Sequence, residues 1–411
     1  MNILHVISTM DPVSGGTCQG IRNSNDALEK LGVHAEVVCL DSPDSSFLGK
    51  DNFVIHALGK GKGPWQYSPN LRPWLEQNLE RFDAVILNGL WLSCGYITWK
   101  CVQDFKKRAG QIDNAKKGIK FFVMPHGMLD PYFQKAEERK LKALRNKIYW
   151  KLIERKVVND ADGLLFTCET ELLLARQTFA PYHPKSEINV GYGVVAPPQQ
   201  NAAMELVFKQ KCPEVGNAPY LLFLSRIHEK KGVDILVEAY KSIQAKLVKE
   251  GIVVPKLVIA GPGMDSAYGE KVKKMAEEQF APKDAIIFPG MLTGDAKWGA
   301  FYGAEAFVLP SHQENFGFAV TEALACGTPV LISNQVNIWR EIQNAKGGIV
   351  ANDTVEGTTE MLEQWIKMPT NEKYKMREQA YQAYLQFFDI RNAAKSFSIG
   401  IGNAETEDVP V

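Results

Sequence analysis

The sequence predicts an α/β protein built from two doubly wound parallel-sheet domains, and three observations predict it. The chain has 411 residues, beyond the roughly 250 to 300 at which one hydrophobic core stops growing, so two domains are expected. Short β-rich runs alternate with helix-period segments along most of its length, and such βα alternation builds a parallel sheet covered on both faces. The alternation lapses once, around Gly191 to Pro219, where Gly191-Tyr192-Gly193, Pro197-Pro198-Gln199-Gln200 and Pro213 interrupt it.

Residues 2–8 form the first β run, followed by a loop holding Gly15 and Gly16 and a helix-like stretch from Thr17 to Leu31. Further runs are His34 to Cys39, Ala84 to Leu87, Lys120 to Met124, Gly163 to Thr167 and Glu187 to Val190. The first domain is therefore assigned to residues 1–195 and a linker with a short helix to 196–219. The second domain, 220–380, restarts more regularly with strands at Tyr220 to Ser225, Lys256 to Ala260, Ala285 to Pro289, Ala306 to Pro310 and Pro329 to Ile332. The tail Asn403 to Val411 is small, acidic and proline-containing, and is expected to fray.

Composition narrows the function classes. The 47 basic and 47 acidic side chains leave no net field, which argues against a nucleic-acid partner. The seven cysteines are scattered and never two residues apart, so they read as reduced, buried thiols of a cytoplasmic protein rather than a zinc or redox site. The apolar start Met1 to Ile7 lacks a basic leader, and no apolar run reaches the roughly 20 residues of a membrane span. A cytoplasmic location follows, with room for peripheral contact at a membrane face.

Ligands of an open parallel sheet bind where loops leave the carboxyl ends of its strands. There the second half delivers Ser225-Arg226 and Lys231-Gly232, then Gly261-Pro262-Gly263, Pro289-Gly290-Met291 and the loop from Ser311 to Gly317. Arg226 offers a planar fork for phosphate oxygens, and Lys231, at a helix start, adds a mobile point charge. Either cation alone reads as ordinary surface; together they read as a diphosphate site. Glu314 in the loop and Glu322, about two turns into a helix expected from near Phe316, form an acidic pair, one for a sugar and one for a ribose. The amides of Asn315, Phe316, Gly317 and Phe318 open that helix as a donor-rich cradle. Gly317 fits where a side chain would block close approach.

Taken together, Leu224-Ser225-Arg226…Lys231-Gly232, Gly261-Pro262-Gly263, Phe288-Pro289-Gly290, Pro310-Ser311…Glu314-Asn315-Phe316-Gly317 and Glu322-Ala323-Leu324-Ala325-Cys326-Gly327-Thr328-Pro329-Val330 resemble the retaining glycosyltransferases of family 4, also called glycosyl transferases group 1. The match spans residues 220–332. The resemblance implies the GT-B architecture, two Rossmann-like domains facing a central cleft, with a C-terminal helix over about 381–400 crossing back to the first domain. It implies transfer of a hexosyl group from a nucleotide diphosphate sugar to an acceptor hydroxyl with retained anomeric configuration. Arg226 and Lys231 would hold the diphosphate, Glu314 and the amides after it the sugar, Glu322 the ribose, and backbone at Gly261, Gly290 and Met291 the nucleotide, with Gly290 and Met291 at the base. No feature demands a guanine or adenine pocket, so UDP-glucose or a related UDP-sugar is the expected donor. Overall the chain also resembles enzymes of envelope polysaccharide assembly, including the cyanobacterial heterocyst-envelope type.

The first half is sparser. Gly15-Gly16 opening a helix makes an anion-accepting nest, with a simple tight turn as the alternative, and lacks the Gly-x-Gly-x-x-Gly spacing of a dinucleotide fold. His126, between Pro125 and Gly127 after the strand Lys120 to Met124, is placed by the resemblance beside the reacting sugar. Asn88 and Trp91 end another strand and suit an acceptor sugar, or packing equally well. Asp160-Ala161-Asp162 matches an Asp-x-Asp metal motif but precedes a strand, at the edge away from ligands. No metal and no cofactor are expected, Arg226 and Lys231 standing in for a divalent cation.

The stretch Lys135 to Lys156 holds nine basic and three acidic residues among aromatic and aliphatic ones. It reads as a long helix with a solvated basic face, peripheral contact with an anionic inner membrane being the alternative. Three further function classes stay open: a Rossmann oxidoreductase, a nucleotide-sugar epimerase of the same architecture, and a non-catalytic sugar-nucleotide binding protein. The acceptor, a carbohydrate or a lipid-linked saccharide, is not specified.

Overall fold

A computed structural model describes residues 1–110, 118–135, 139–278 and 285–402; the expectation for 403–411 lies outside these. The chain divides into two compact units, Met1–Gly193 with the segment from Ile390 onward, and Val194–Asp389.

The first unit holds β1 (Asn2–Val6), β2 (His34–Cys39), β3 (Val54–Ala57), β4 (Ala84–Asn88), β5 (Lys120–Met124), β6 (Gly163–Phe166) and β7 (Glu187–Asn189) in one sheet, ordered β3-β2-β1-β4-β5-β6-β7. All of its pairings are parallel. Successive side chains serve opposite faces: Leu4, Val85, Leu87, Phe121 and Val123 join one core cluster, whereas Ile3, Ala84, Ile86, Phe122 and Met124 join another. Both faces are therefore covered, which is why these strands read as continuous apolar runs.

The second unit holds β8 (Tyr220–Leu224), β9 (Lys256–Ala260), β10 (Ile286–Gly290), β11 (Ala306–Leu309), β12 (Val330–Ser333) and β13 (Gly348–Ala351), ordered β10-β9-β8-β11-β12-β13 and again parallel. In each sheet the order reverses once, between β1 and β4 and between β8 and β11. Those switch points open the crevices in which such sheets bind ligands.

Two strands escape the sequence reading. β3 and β13 are four-residue edge strands, only partly buried, so neither shows a strong apolar run. The boundaries also differ from those expected. Residues 196–219 belong to the second unit rather than to a linker, because the helix Ala202–Lys211 buries Met204 and Phe208 against the helix Gly294–Gly303. Gly299 permits the contact: a Cβ there would lie 2.1 Å from the Met204 carbonyl oxygen. The single helix expected over 381–400 is two, Thr370–Ala383 with a π-helical turn Tyr384–Phe388, and Ile390–Gly400. Asp389, extended at φ −66 and ψ 129, separates them, and the units divide there.

Candidate functional site

In the second unit the loops leaving β8, β9 and β11 converge at the switch point. Ser225 N–H donates to the Ala260 carbonyl at 3.1 Å and Ile227 N–H to the Pro262 carbonyl at 2.8 Å, so the chain on either side of Arg226 is anchored to the exit of β9. Arg226 itself is exposed, and no carboxylate among the described residues pairs with it. Gly261, expected at the ligand, is also a packing glycine. A Cβ there would lie 1.8 Å from the Ser225 carbonyl oxygen, and one on Gly263 2.7 Å from that of Ile227, so both glycines make room for the Arg226 loop.

Lys231 ends the 3-10 turn Glu229–Lys231, and Gly232 in the left-handed region then starts the helix Val233–Lys249. Gly232 lies under the β11 exit, where a Cβ would approach the Pro310 carbonyl oxygen to 2.2 Å. This brings Lys231, 8% exposed, against Glu314, and the two form an ion pair. Burial acts most strongly on Glu314 and would raise its pKa, but the charges of Lys231 and Lys230 and the Asn315 amide outweigh it and hold the carboxyl below its ordinary range. Residues expected to serve diphosphate and sugar separately are thus one charged unit.

The Glu314 loop is fixed like a short extra strand. Its N–H donates to the Gln335 carbonyl at 3.0 Å, and its carbonyl accepts from Asn337 N–H at 2.9 Å. Asn337, buried, donates its side-chain amide to the Asn315 side-chain oxygen at 3.3 Å. Gly317 is the N-cap, at φ +77, of the helix Phe318–Ala325. The helix thus starts two residues later than expected, leaving Asn315 and Phe316 in the loop and placing Glu322 about one turn in rather than two. Phe316 is buried against Phe318 and Phe388, so its ring serves packing and only its backbone faces the site edge. Glu322 is partly exposed and pairs at 2.9 Å with Lys297, a partner the sequence reading missed because it looks like any surface lysine of the helix Gly294–Gly303. Gly290 ends β10 at φ +76, with Met291 beside it 66% exposed, an open shelf next to Gly261.

The first unit carries a second cluster at its own switch point. Gly15, at φ 87 and ψ −138, takes a backbone shape that L side chains rarely adopt, between the turn Pro12–Ser14 and the helix that Gly16 begins. Asp41 pins the loop before it, accepting from Thr9 Oγ1 at 2.6 Å and from Met10 N–H at 2.7 Å. His126 adopts φ 53, sparsely populated for a residue with a side chain. Its Nε2 contacts Asn88 Oδ1 at 3.0 Å, and Asn88 Nδ2 reaches His5 Nδ1 and the Ile86 carbonyl, each at 3.1 Å. With the amide nitrogen directed at Ile86, Oδ1 must accept from His126, which fixes the Nε2–H tautomer and leaves Nδ1 as acceptor. Burial, then His5, hold the His126 pKa down to about 3, so the ring is neutral at physiological pH.

Asn88 is consequently not free to meet an acceptor. It is buried and its amide is spent on two histidines and a carbonyl. Glu171, also missed, is buried and accepts from Gly127 N–H and, at 2.8 Å, from Thr167 N–H, tying the His126 turn to the end of β6. It sits at the third position of the helix Glu169–Ala175, whose N-cap is Cys168 rather than Ser or Thr, so no capping motif in the sequence marks it. Trp91 is only partly buried, at φ 73, and its N–H points to Glu154 at 3.4 Å. In the Asp-x-Asp motif, Asp160 accepts from Trp99 Nε1 at 3.1 Å, and Asp162 pairs with Lys106 and Lys185, so both acids are engaged in local structure.

Residues 206–383 match the family described as Glycosyl transferases group 1, and residues 15–185 the Glycosyl transferase 4-like domain. The second unit thus carries a glycosyl transferases group 1 domain and the first a glycosyl transferase 4-like domain. It is 27% identical over 170 residues to an uncharacterized glycosyltransferase, MJ1607, of Methanocaldococcus jannaschii, covering 40% of this chain and 41% of that one. To the D-inositol 3-phosphate glycosyltransferase of Streptomyces bingchenggensis it is 33% identical over 132 residues, 31% and 28% of the two chains. These matches span less than half the length of either relative. Among solved structures, the Anabaena Alr3699/HepE complex with UDP and glucose superposes with a TM-score of 0.70 at 15% identity, over 98% of this chain and 99% of that one. A Rickettsia africae glycosyltransferase gives 0.73 at 15% identity, over 99% of each. The fold of the chain is GT-B.

Proposed function

We propose that the protein is a retaining hexosyltransferase that moves a sugar from a nucleotide diphosphate sugar, UDP-glucose or a close relative, to an acceptor hydroxyl in polysaccharide assembly. The observation that carries this reading is the set of charges at the β8/β11 switch point, an exposed Arg226 that pairs with no carboxylate among the described residues and, on the same loop, Lys231 in an ion pair with Glu314. A cationic fork and a buried ammonium suit the two phosphates, and Glu314 and Glu322 suit hydroxyls of sugar and ribose. A neighbour of the same fold was determined with UDP-glucose, which makes a UDP-sugar the first donor to try.

In the proposed reaction the bond from the anomeric carbon to the β-phosphate oxygen breaks while the acceptor oxygen bonds to the same face, and the acceptor proton passes to the departing phosphate. Arg226 and Lys231 stabilise the leaving charge, which makes the transfer metal-independent. Neutral His126, with Nδ1 as its acceptor, is the first unit's candidate partner for a sugar hydroxyl. The acceptor is a carbohydrate or lipid-linked saccharide, reached from the cytoplasmic side with peripheral membrane contact.

Calorimetric titration with UDP, GDP and ADP in chelator tests this. Tight binding of UDP, weakened by Arg226→Ala and by Glu322→Ala, is expected, with a loss of roughly 10² to 10³ in rate for Arg226→Ala. Failure of every nucleotide to bind would remove the donor site, and inversion of the anomeric centre in product NMR would remove retention.

A further inference from the structure

The first unit has an outer face that donor chemistry does not use. Residues 140–156 contain a single acid, Glu154, and it is buried. Leu141, Leu144, Ile148 and Leu152 are instead 86%, 58%, 54% and 66% exposed. Their spacing of three and four places them in one stripe along the helix Lys140–Tyr149 and the π-helical turn Trp150–Glu154 that continues it. The other exposed side chains of this stretch are Lys140, Lys142, Arg145, Lys147, Lys151 and Lys156. A helix facing only water does not need four bare aliphatic side chains, and one facing a protein core would bury them.

Beside the stripe runs an apolar groove of about 670 Å³, walled by Trp65, Tyr96, Ile97, Tyr149 and Leu152. Trp65 stacks on Tyr149 with ring centroids 4.6 Å apart, and the Arg145 guanidinium lies 5.4 Å over Trp65. Tyr149 also meets the edge of Trp91 at 6.4 Å, and Trp91 stands three residues after Asn88, which holds His126. An aromatic path therefore leads from the His126 end of the sheet to the exposed stripe, within one unit. The groove has a cation at its rim: Arg72 is engaged by Glu76 and Asp104, whereas Arg145 meets no carboxylate among the described residues. Hydrocarbon walls and a guanidinium held only by the neutral Asn146 side chain and the Trp65 ring complement an anionic amphiphile.

We propose that this groove binds the hydrocarbon chain of a lipid-phosphate-linked acceptor, with its phosphate at Arg145, and that the aliphatic stripe seats the groove on an anionic bilayer. The aliphatic side chains enter the acyl boundary while the lysines meet lipid phosphates. That the bound lipid is a sugar acceptor rests on the transferase reading; the lipid contact does not.

Cosedimentation with phosphatidylcholine vesicles, with and without phosphatidylglycerol, tests the stripe. Binding is expected with the anionic lipid, falling about fivefold for each of Lys147→Ala and Lys151→Ala and abolished by Leu144→Glu with Ile148→Glu. Both leucine and isoleucine are exposed, so circular dichroism and UDP affinity should stay unchanged. Equal binding to both vesicle types, or binding indifferent to the two glutamates, overturns the stripe. Titration of farnesyl phosphate without vesicles tests the groove: saturable binding, weakened at least tenfold by Tyr96→Ala, and Arg145→Ala erasing the preference over farnesol. Vesicle binding without saturable farnesyl phosphate binding overturns the groove. If farnesyl phosphate binds but no nucleotide does, the transferase reading falls and the lipid site stands.

Discussion

Single residues at the two switch points are candidates for chemistry because of what fixes them. His126 at φ 53 is held by Asn88 and, through Gly127, by Glu171. Asn88→Leu, close in volume but unable to accept from Nε2, is expected to free the tautomer and lower kcat about 10²-fold with little change in UDP affinity, whereas loss of UDP binding would show Asn88 acting on the donor. The motif residues Arg226, Lys231, Glu314 and Glu322 were legible because strand ends and helix starts can be located from periodicity. Asn88 was legible as a strand end but not as a partner of His5 and His126, since 83 and 38 residues separate it from them. Lys297 was illegible for the same reason: only folding sets it beside Glu322.

Elements hold these residues by backbone approach. The β8 exit passes over Gly261 so closely that an added methyl group would overlap the Ser225 carbonyl. Gly261→Ala is therefore expected to shift the Arg226 loop, costing roughly 1 to 3 kcal/mol and weakening UDP affinity; an unchanged affinity in calorimetry would separate this glycine from the site. The helix Ala202–Lys211 gives a contrasting case. Phe208→Ala removes a buried ring and should cost about 3 to 5 kcal/mol, seen as a lower Tm, which a true linker residue would not do. Its hydrophobic pattern is too short and its proline flanks too prominent for the sequence to reveal that it packs on the helix Gly294–Gly303.

At the scale of the whole molecule, the buried His5 and Glu154 and the half-buried His126 set opposing pH dependences. Burial lowers His5 to about 4, and burial with His5 lowers His126 to about 3, so as pH falls below 6.5 the unfolded chain takes up protons that the folded chain refuses, and stability drops. Burial raises Glu154 to about 8, so the folded chain keeps a proton that the unfolded chain releases, and stability drops as pH rises from 4.5 to 8. Together these groups favour an optimum near pH ~6.5, with a loss of roughly 2 kcal/mol by pH 8. Urea unfolding at pH 5, 6.5 and 8 checks this, and Glu154→Gln should remove the alkaline fall while leaving the acid one. The sequence by itself determined the α/β class, the strand ends and the motif that marks the donor edge, because periodicity, glycine and charge act locally along the chain. Only the tertiary structure decided which edge strands complete each sheet, where one unit yields to the other, that Lys231 pairs with Glu314 and Lys297 with Glu322, and that a basic helix exposes its aliphatic stripe beside an aromatic groove. Those are contacts between residues far apart in sequence, and burial, which sets their energies, exists only once the chain has folded.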